Sequence, residues 1–327
     1  MKCIVLVGIS AIEAWDLGLC IRALPVEEID SIEYACNAEE LRQFDDVFPQ
    51  LTRPLHILAP NKSARRQSKR WHCHTLSRKL PRHSFFKVTE NIYVAAPYLC
   101  FFQFARKLPF AHALLLGMEL CGGYSTLRLH REAGRCAPGK DYLERRALST
   151  PAQLQRYIKA CGLGKNSVPR RVASLLQAGT ASPRESIIHA MIHPSRLQGG
   201  FGMEGYEVNG EIQLPREMAI ASGVASFRGD FYWREKALIL EYDGRDYHAD
   251  DSQRSYDNFR RTVLGELGIR TICLDKGQFK DLATVEHVMS AVASHLGEEP
   301  SETTPRIQKA RRLLHRQLLE PDINLYP

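Results

Sequence analysis

The 327-residue sequence has no CxxC pair, no internal repeat and no apolar run long enough to span a bilayer. A membrane helix needs about 20 consecutive apolar residues. The apolar runs here are short and broken by polar side chains, so no membrane partner is expected. Residues 1–8 lack a basic region followed by a long apolar one and a small-residue cleavage site. They read as a buried strand rather than a signal peptide, which makes a cytoplasmic location the default. Nine cysteines (Cys3, Cys20, Cys36, Cys73, Cys100, Cys121, Cys136, Cys161 and Cys273) form an odd, scattered set. That excludes a regular disulfide framework and a zinc ribbon, and leaves most of them as small buried hydrophobes. In an extended His72-Cys73-His74 segment, alternation sends the two histidines to one face and the cysteine to the other. Two ligands on one face fall short of the four that structural zinc requires.

Hydrophobic residues make up 44% of the chain and charged residues 25%, ordinary values for a globular protein and incompatible with wholesale disorder. The length suits two domains at roughly 100–200 residues each. The net charge of +7 is a mild bias toward anionic partners, and its distribution is uneven. Lys62, Arg65, Arg66, Lys69 and Arg70 fall within nine residues, and Arg306, Lys309, Arg311, Arg312 and Arg316 form a second cluster. The first run suits either a solvated loop or nucleic-acid contact. Trp71 beside it suits either base stacking or a half-buried strand.

Four segments emerge. Residues 1–150 read as an N-terminal α+β domain, with a helix near Ser10, strands around 55–58 and 71–76, and a hairpin turning at Glu90-Asn91. Two helices follow, one opened by Pro97 and one over 111–120 that ends at Gly122-Gly123. Residues 151–180 form a helical connector whose first helix starts at Thr150-Pro151. Residues 181–295 run helix, strands, helix, strand, helix, which predicts an α/β (α+β) domain with a mixed sheet flanked by helices. Residues 296–327 hold a polar linker and a basic helix over 306–319. Its Leu313, Leu314, Leu318 and Leu319 favour docking on the body of the protein.

The third segment carries an acidic constellation. Ser182-Pro183-Arg184-Glu185 opens a helix, with serine as N-cap and Glu185 at the capping-box position, so Glu185 has a structural explanation of its own. Asp230 lies inside the extended, aromatic Phe227-Arg228-Gly229-Asp230-Phe231-Tyr232-Trp233. After a charged turn at 234–236, Ala237-Leu238-Ile239-Leu240-Glu241-Tyr242-Asp243-Gly244 reads as a strand buried on both faces, with Glu241 and Asp243 on one side. The hairpin places Asp230 opposite Glu241. Two carboxylates that close repel unless a cation or proton lies between them, and an oxygen-rich site of this kind suits Mg²⁺ or Mn²⁺. His248 then suits a base, a phosphate contact or a structural hydrogen bond.

Taken together, Glu185, Arg228-x-Asp230, Glu241-Tyr242-Asp243-Gly244, Tyr247-His248, Asp257-x-x-Arg260, Leu264 and Gly268 resemble the endonuclease-like family related to very-short-patch-repair endonucleases, of the PD-(D/E)XK superfamily. The resemblance covers about residues 180–280. It implies a restriction-endonuclease-like fold, Glu185, Asp230 and Glu241 as carboxylates for a magnesium or manganese ion, and hydrolysis of DNA phosphodiesters in defence or repair. Asp243 stands where the superfamily usually has lysine. His248 or Arg260 would then take over the lysine's task, or the domain is a weak or dead nuclease, and the chain a DNA-binding regulator or antitoxin-like protein. Ser10-Ala11-Ile12-Glu13-Ala14-Trp15, the strand-loop-strand around 55–76 and residues 92–100 resemble AbiEi-type antitoxin-like proteins. That implies a nucleic-acid-facing or regulatory module, with 62–70 as a phosphate-binding loop. A homodimer or a toxin–antitoxin partner is compatible with both resemblances.

Overall fold

The computed structural model describes residues 2–29, 32–35, 37–44, 46–65, 67–76, 79–243, 251–298 and 303–320, with the backbone alone for 251–254. The chain divides after Leu176 into two compact units. The expected 151–180 connector therefore belongs to the first unit up to residue 176, and the basic C-terminal helix belongs to the second.

The first unit is built on a six-stranded sheet. Its elements in chain order are β1 (Ile4–Leu6), α1 (Gly8–Asp16), β2 (Leu24–Val26), α2 (Ala38–Arg42), β3 (Leu55–Leu58), β4 (Trp71–His74), β5 (Phe85–Thr89) and β6 (Ile92–Ala95). They continue through α3 (Pro97–Ala105), α4 (Phe110–Cys121), β7 (Tyr124–Ser125), α5 (Arg128–Glu132), β8 (Leu143–Glu144), α6 (Pro151–Ala160) and α7 (Val168–Ala173). The strand order is β2-β5-β6-β1-β3-β4. β1, wholly apolar, lies inside this order, parallel to β6 and antiparallel to β3, and every one of its side chains is buried. The hairpin expected at Glu90-Asn91 joins β5 to β6. Pro97 occupies the first turn of α3 and Thr150 caps α6 with a full capping box, both as the sequence chemistry demands. Glu13 and Asp16 of α1 are buried but paired. Glu13 accepts from Thr52 and from Arg135, while Asp16 accepts from Ser125 and the Arg145 guanidinium and meets the His130 ring. Buried acids persist only with such partners.

The second unit comprises α8 (Pro183–Ile192), β9 (Glu207–Gln213), α9 (Arg216–Ser222), β10 (Ser226–Trp233), β11 (Leu238–Asp243), α10 (Asp251–Glu266), β12 (Arg270–Asp275), α11 (Lys276–Lys280), α12 (Leu282–Leu296) and α13 (Pro305–Leu318). It has the mixed sheet flanked by helices that the sequence predicts. The strand order is β12-β11-β10-β9, antiparallel across β9, β10 and β11, and parallel between β11 and β12. Leu238, Ile239 and Leu240 are fully buried, as an apolar run inside a sheet requires, whereas Ala237 precedes β11 in a left-handed conformation with φ +46°. α13 docks as expected. Leu314 and Leu318 face inward, Leu313 and Leu319 stay exposed, and the buried Arg311 pairs with Glu286 and stacks on Phe201. Gly199 (φ +96°) permits this approach, since a Cβ there would stand 2.5 Å from the Ala310 carbonyl oxygen.

The β9–β10–β11 strands carry one irregularity. Pairing runs from Ser226↔Gln213 to Gly229↔Gly210 and resumes at Phe231↔Val208, skipping Asn209 and Asp230. Asn209 has φ +51°, a left-handed conformation that asparagine tolerates better than most residues. Strand alternation slips at this point. Phe227 and Tyr232, five residues apart, pack in the same cluster with Ile239, Val263 and Leu264. Phe231 and Trp233 instead pack edge-on against Tyr206.

Candidate active site in the second unit

Asp230 sits at the slip. The last paired residues of the β10–β11 hairpin are Phe231 and Leu240, so the next step along the register brings Asp230 to Glu241. The two do not simply face each other across a regular ladder. Asp230 turns its carboxylate into the sheet, where its Oδ2 accepts a hydrogen bond from the Tyr242 backbone N–H at 2.9 Å. Burial is the main reason its carboxyl is pushed up to about 7, and the nearby Glu185 and Glu241 add to the effect. The Tyr242 N–H and the Arg260 guanidinium pull the other way without cancelling it. Asp230 therefore titrates near neutrality because it is a partly desolvated carboxyl between two others.

Glu241 is paired. Arg260, from α10, reaches it with both terminal nitrogens, Nη1 at 3.0 Å. The same guanidinium donates to the Arg228 carbonyl and lies over the Phe227 ring, 5.6 Å from its centroid. A planar, bidentate clamp stacked on an aromatic face is an arrangement that lysine could not reproduce. Sequence reading marked Arg260 as a nucleic-acid contact or a substitute for the missing lysine. Its grip on Glu241 was not legible, because it depends on how α10 crosses the sheet.

Glu185 is buried at 8% exposure, and hydrogen bonds take both its oxygens. Oε1 accepts from the Ser182 hydroxyl, and Oε2 from the Ala181 N–H and from Asn209 Nδ2. The Ser182 hydroxyl in turn accepts from the Glu185 N–H, so the expected cap is present. Asn209 also donates to the Gly179 carbonyl, tying the strand irregularity to the start of α8. Glu185 is close enough to influence Asp230 but does not line the cleft in front of it.

That cleft has a volume of about 330 Å³, and its lining includes Arg228, Asp230, Glu241, Asp243, Asp257, Arg260 and Arg261. Asp243 lies one strand repeat beyond Glu241 on β11, as alternation required. Among the described residues, Glu185, Asp230 and Glu241 do not converge as a ready-made set of metal ligands. The one group that does is His56, His72 and His74, in the first unit. His248 lies outside the described residues, as does Arg66. Lys62, Arg65, Lys69 and Arg70 are all exposed on the first unit, with Arg65 Nε donating to the Cys73 carbonyl at 3.3 Å.

No family model, curated protein or solved structure matches the chain. Among the described residues, no helix is long and apolar enough to cross a membrane.

Proposed function

We propose that the second unit is a divalent-metal-dependent nuclease that hydrolyses DNA phosphodiesters. The observation carrying this reading is Asp230, held near neutrality between Glu185 and Glu241 at the edge of an open cleft. Four carboxylates and three guanidiniums line that cleft. A phosphodiester entering it meets at least as much negative as positive charge unless a cation joins it. The donors fit a hard cation, since Asp230, Glu241 and Asp243 offer only oxygen. Asp230 and Glu241 would hold Mg²⁺ or Mn²⁺, with Asp243 beside them and Glu185 supporting from behind as a cap. Bound there, the ion would activate water and offset charge on the phosphate. Arg260 would leave Glu241 and, with Arg261, take a phosphate oxygen through its N–H groups. The resemblance to very-short-patch-repair-like endonucleases supports the choice of DNA and a role in defence or repair.

The Arg260 clamp favours a second reading. A guanidinium that stays on Glu241 already supplies the positive charge, and the unit is then a DNA-binding regulator without catalysis. One experiment separates the two. Cleavage of plasmid DNA in Mg²⁺ or Mn²⁺ is expected for the wild type and abolished in Glu241→Ala, with circular dichroism unchanged. Cleavage that survives Glu241→Ala would refute the nuclease reading. Binding of DNA that weakens steeply with salt and ignores Mg²⁺, with no product, would establish the second.

A further inference from the structure

The first unit holds a cluster that the nuclease reading does not use. β3 and β4 run parallel and pair His56 with His72 and Leu58 with His74. Alternation then puts His56, His72 and His74 on one face, while Ile57 and Cys73 turn to the other and are buried. The three rings lie 4.8 to 5.0 Å apart, centre to centre. His56 Nδ1 and His74 Nε2 are 3.0 Å apart, and one ring nitrogen from each histidine lies within 4.8 Å of the other two. The strand pair that looked two ligands short in sequence gains its third from a residue sixteen positions upstream of His72.

Three imidazoles this close repel one another when charged. In the His56–His74 hydrogen bond one ring nitrogen donates and the other accepts, and each neutral imidazole keeps one nitrogen with a lone pair, the form in which histidine ligates metals.

We propose that His56, His72 and His74 form a binding site for a borderline transition-metal ion of the Zn²⁺ class, with a fourth position left for water or an anion. At Zn–N distances near 2.0–2.1 Å, tetrahedral ligands stand about 3.3 Å apart. The His56–His74 pair is already close to that spacing. His72, half-buried and nearly parallel to His74 at 15°, turns off its stack to bring in the third nitrogen. Ser10 Oγ accepts from the His56 backbone N–H at 2.9 Å and fixes the strand that carries it. Gly8 leaves room beside the ring, since even a Cβ there would stand 3.7 Å from His56 Nδ1. Arg65 and Lys107 are near enough to oppose positive charge at His74. They weaken the cation's hold and favour an anion, hydroxide or an oxyanion, on its fourth position. Nitrogen donors alone exclude Mg²⁺ and Ca²⁺, so this site and the carboxylate cleft select different ions.

The test is a Co²⁺ titration of the tag-free, full-length, chelator-treated chain, read by visible ligand-field absorption and followed by displacement with Zn²⁺. One Co²⁺ per chain with a tetrahedral-type band is expected, displaced by Zn²⁺ and indifferent to millimolar Mg²⁺. His72→Ala and His74→Ala should each lower Co²⁺ affinity by about 100-fold or more, because losing a direct ligand exceeds the cost of losing an outer partner. His72→Gln, at the half-exposed position, serves if an alanine variant fails to fold by circular dichroism. A wild type that shows no band, or a band unchanged in folded His72 and His74 variants, would overturn the site.

Discussion

Replacing Asp230 by asparagine should stabilise the second unit at alkaline pH, and the size of the effect follows from the carboxyl's surroundings. In the unfolded chain this group titrates near 3.8, and in the folded protein it is pushed up to about 7. Between those values the folded state keeps a proton that the unfolded chain has released, so stability falls as pH rises through this window and stays low above it. At about 1.36 kcal/mol per pH unit the ceiling is about 4 kcal/mol. Access of water from the cleft makes about 2–4 kcal/mol the expected range. Asparagine keeps an oxygen for the Tyr242 N–H and removes the charge. The assay is urea unfolding at pH 5 and pH 8, followed by Trp233 fluorescence in a Trp15→Phe/Trp71→Phe background. The second unit is then read alone, because a two-unit chain has no single unfolding transition. Wild type should lose stability between the two pH values, and Asp230→Asn should lose much less. Mg²⁺ at pH 8 should restore the wild type and leave the variant unmoved, since only the ionised site gains from the cation. Equal pH dependence in both proteins would refute the claim that Asp230 is a strained carboxyl.

Three further outcomes follow from the same geometry. Arg260→Ala removes the clamp on Glu241 and the cover on Phe227; it should cost about 2 kcal/mol in metal-free buffer, and failure of Mg²⁺ to recover part of it in urea titrations would count against Glu241 as a ligand. Ser182→Ala removes the α8 cap and one of the hydrogen bonds to Glu185, for an expected loss of about 1 kcal/mol, measured by thermal unfolding. Gly229→Ala would put a Cβ 2.7 Å from Ile239 Cγ2, an overpacking worth about 1–3 kcal/mol. Combined with Ile239→Ala it should cost less than the sum of the two changes, as contacting sites do in a double-mutant cycle.

Local chemistry made much of the fold legible. Threonine and proline marked the start of α6, Gly122 the end of α4, and Glu90-Asn91 the β5–β6 hairpin, because each is set by a few consecutive residues. The Asp230–Glu241 juxtaposition was also legible, since the length of the turn at 234–236 fixes the hairpin register. What escaped depends on distant segments. The slip at Asn209 and Asp230 involves two strands and a left-handed asparagine, and nothing in residues 226–233 alone announces it. Arg260 reads in sequence as a phosphate contact, and its clamp on Glu241 depends on how α10 crosses the sheet. The first-unit histidine cluster was invisible for the same reason: His56 joins His72 and His74 only through the parallel pairing of β3 and β4.

The slip in β10 has one more consequence. A side chain in a regular strand belongs to one layer or the other, and changing it disturbs that layer's packing. Asp230 stands where the strand passes from one phase to the other, between Gly229, which faces Ile239, and Phe231, which faces Tyr206. It is a hinge point in the pattern and owes its place to neither hydrophobic layer. A substitution at this point that keeps an acceptor for the Tyr242 N–H therefore changes the charge and acidity of the unit without touching the side chains of either layer.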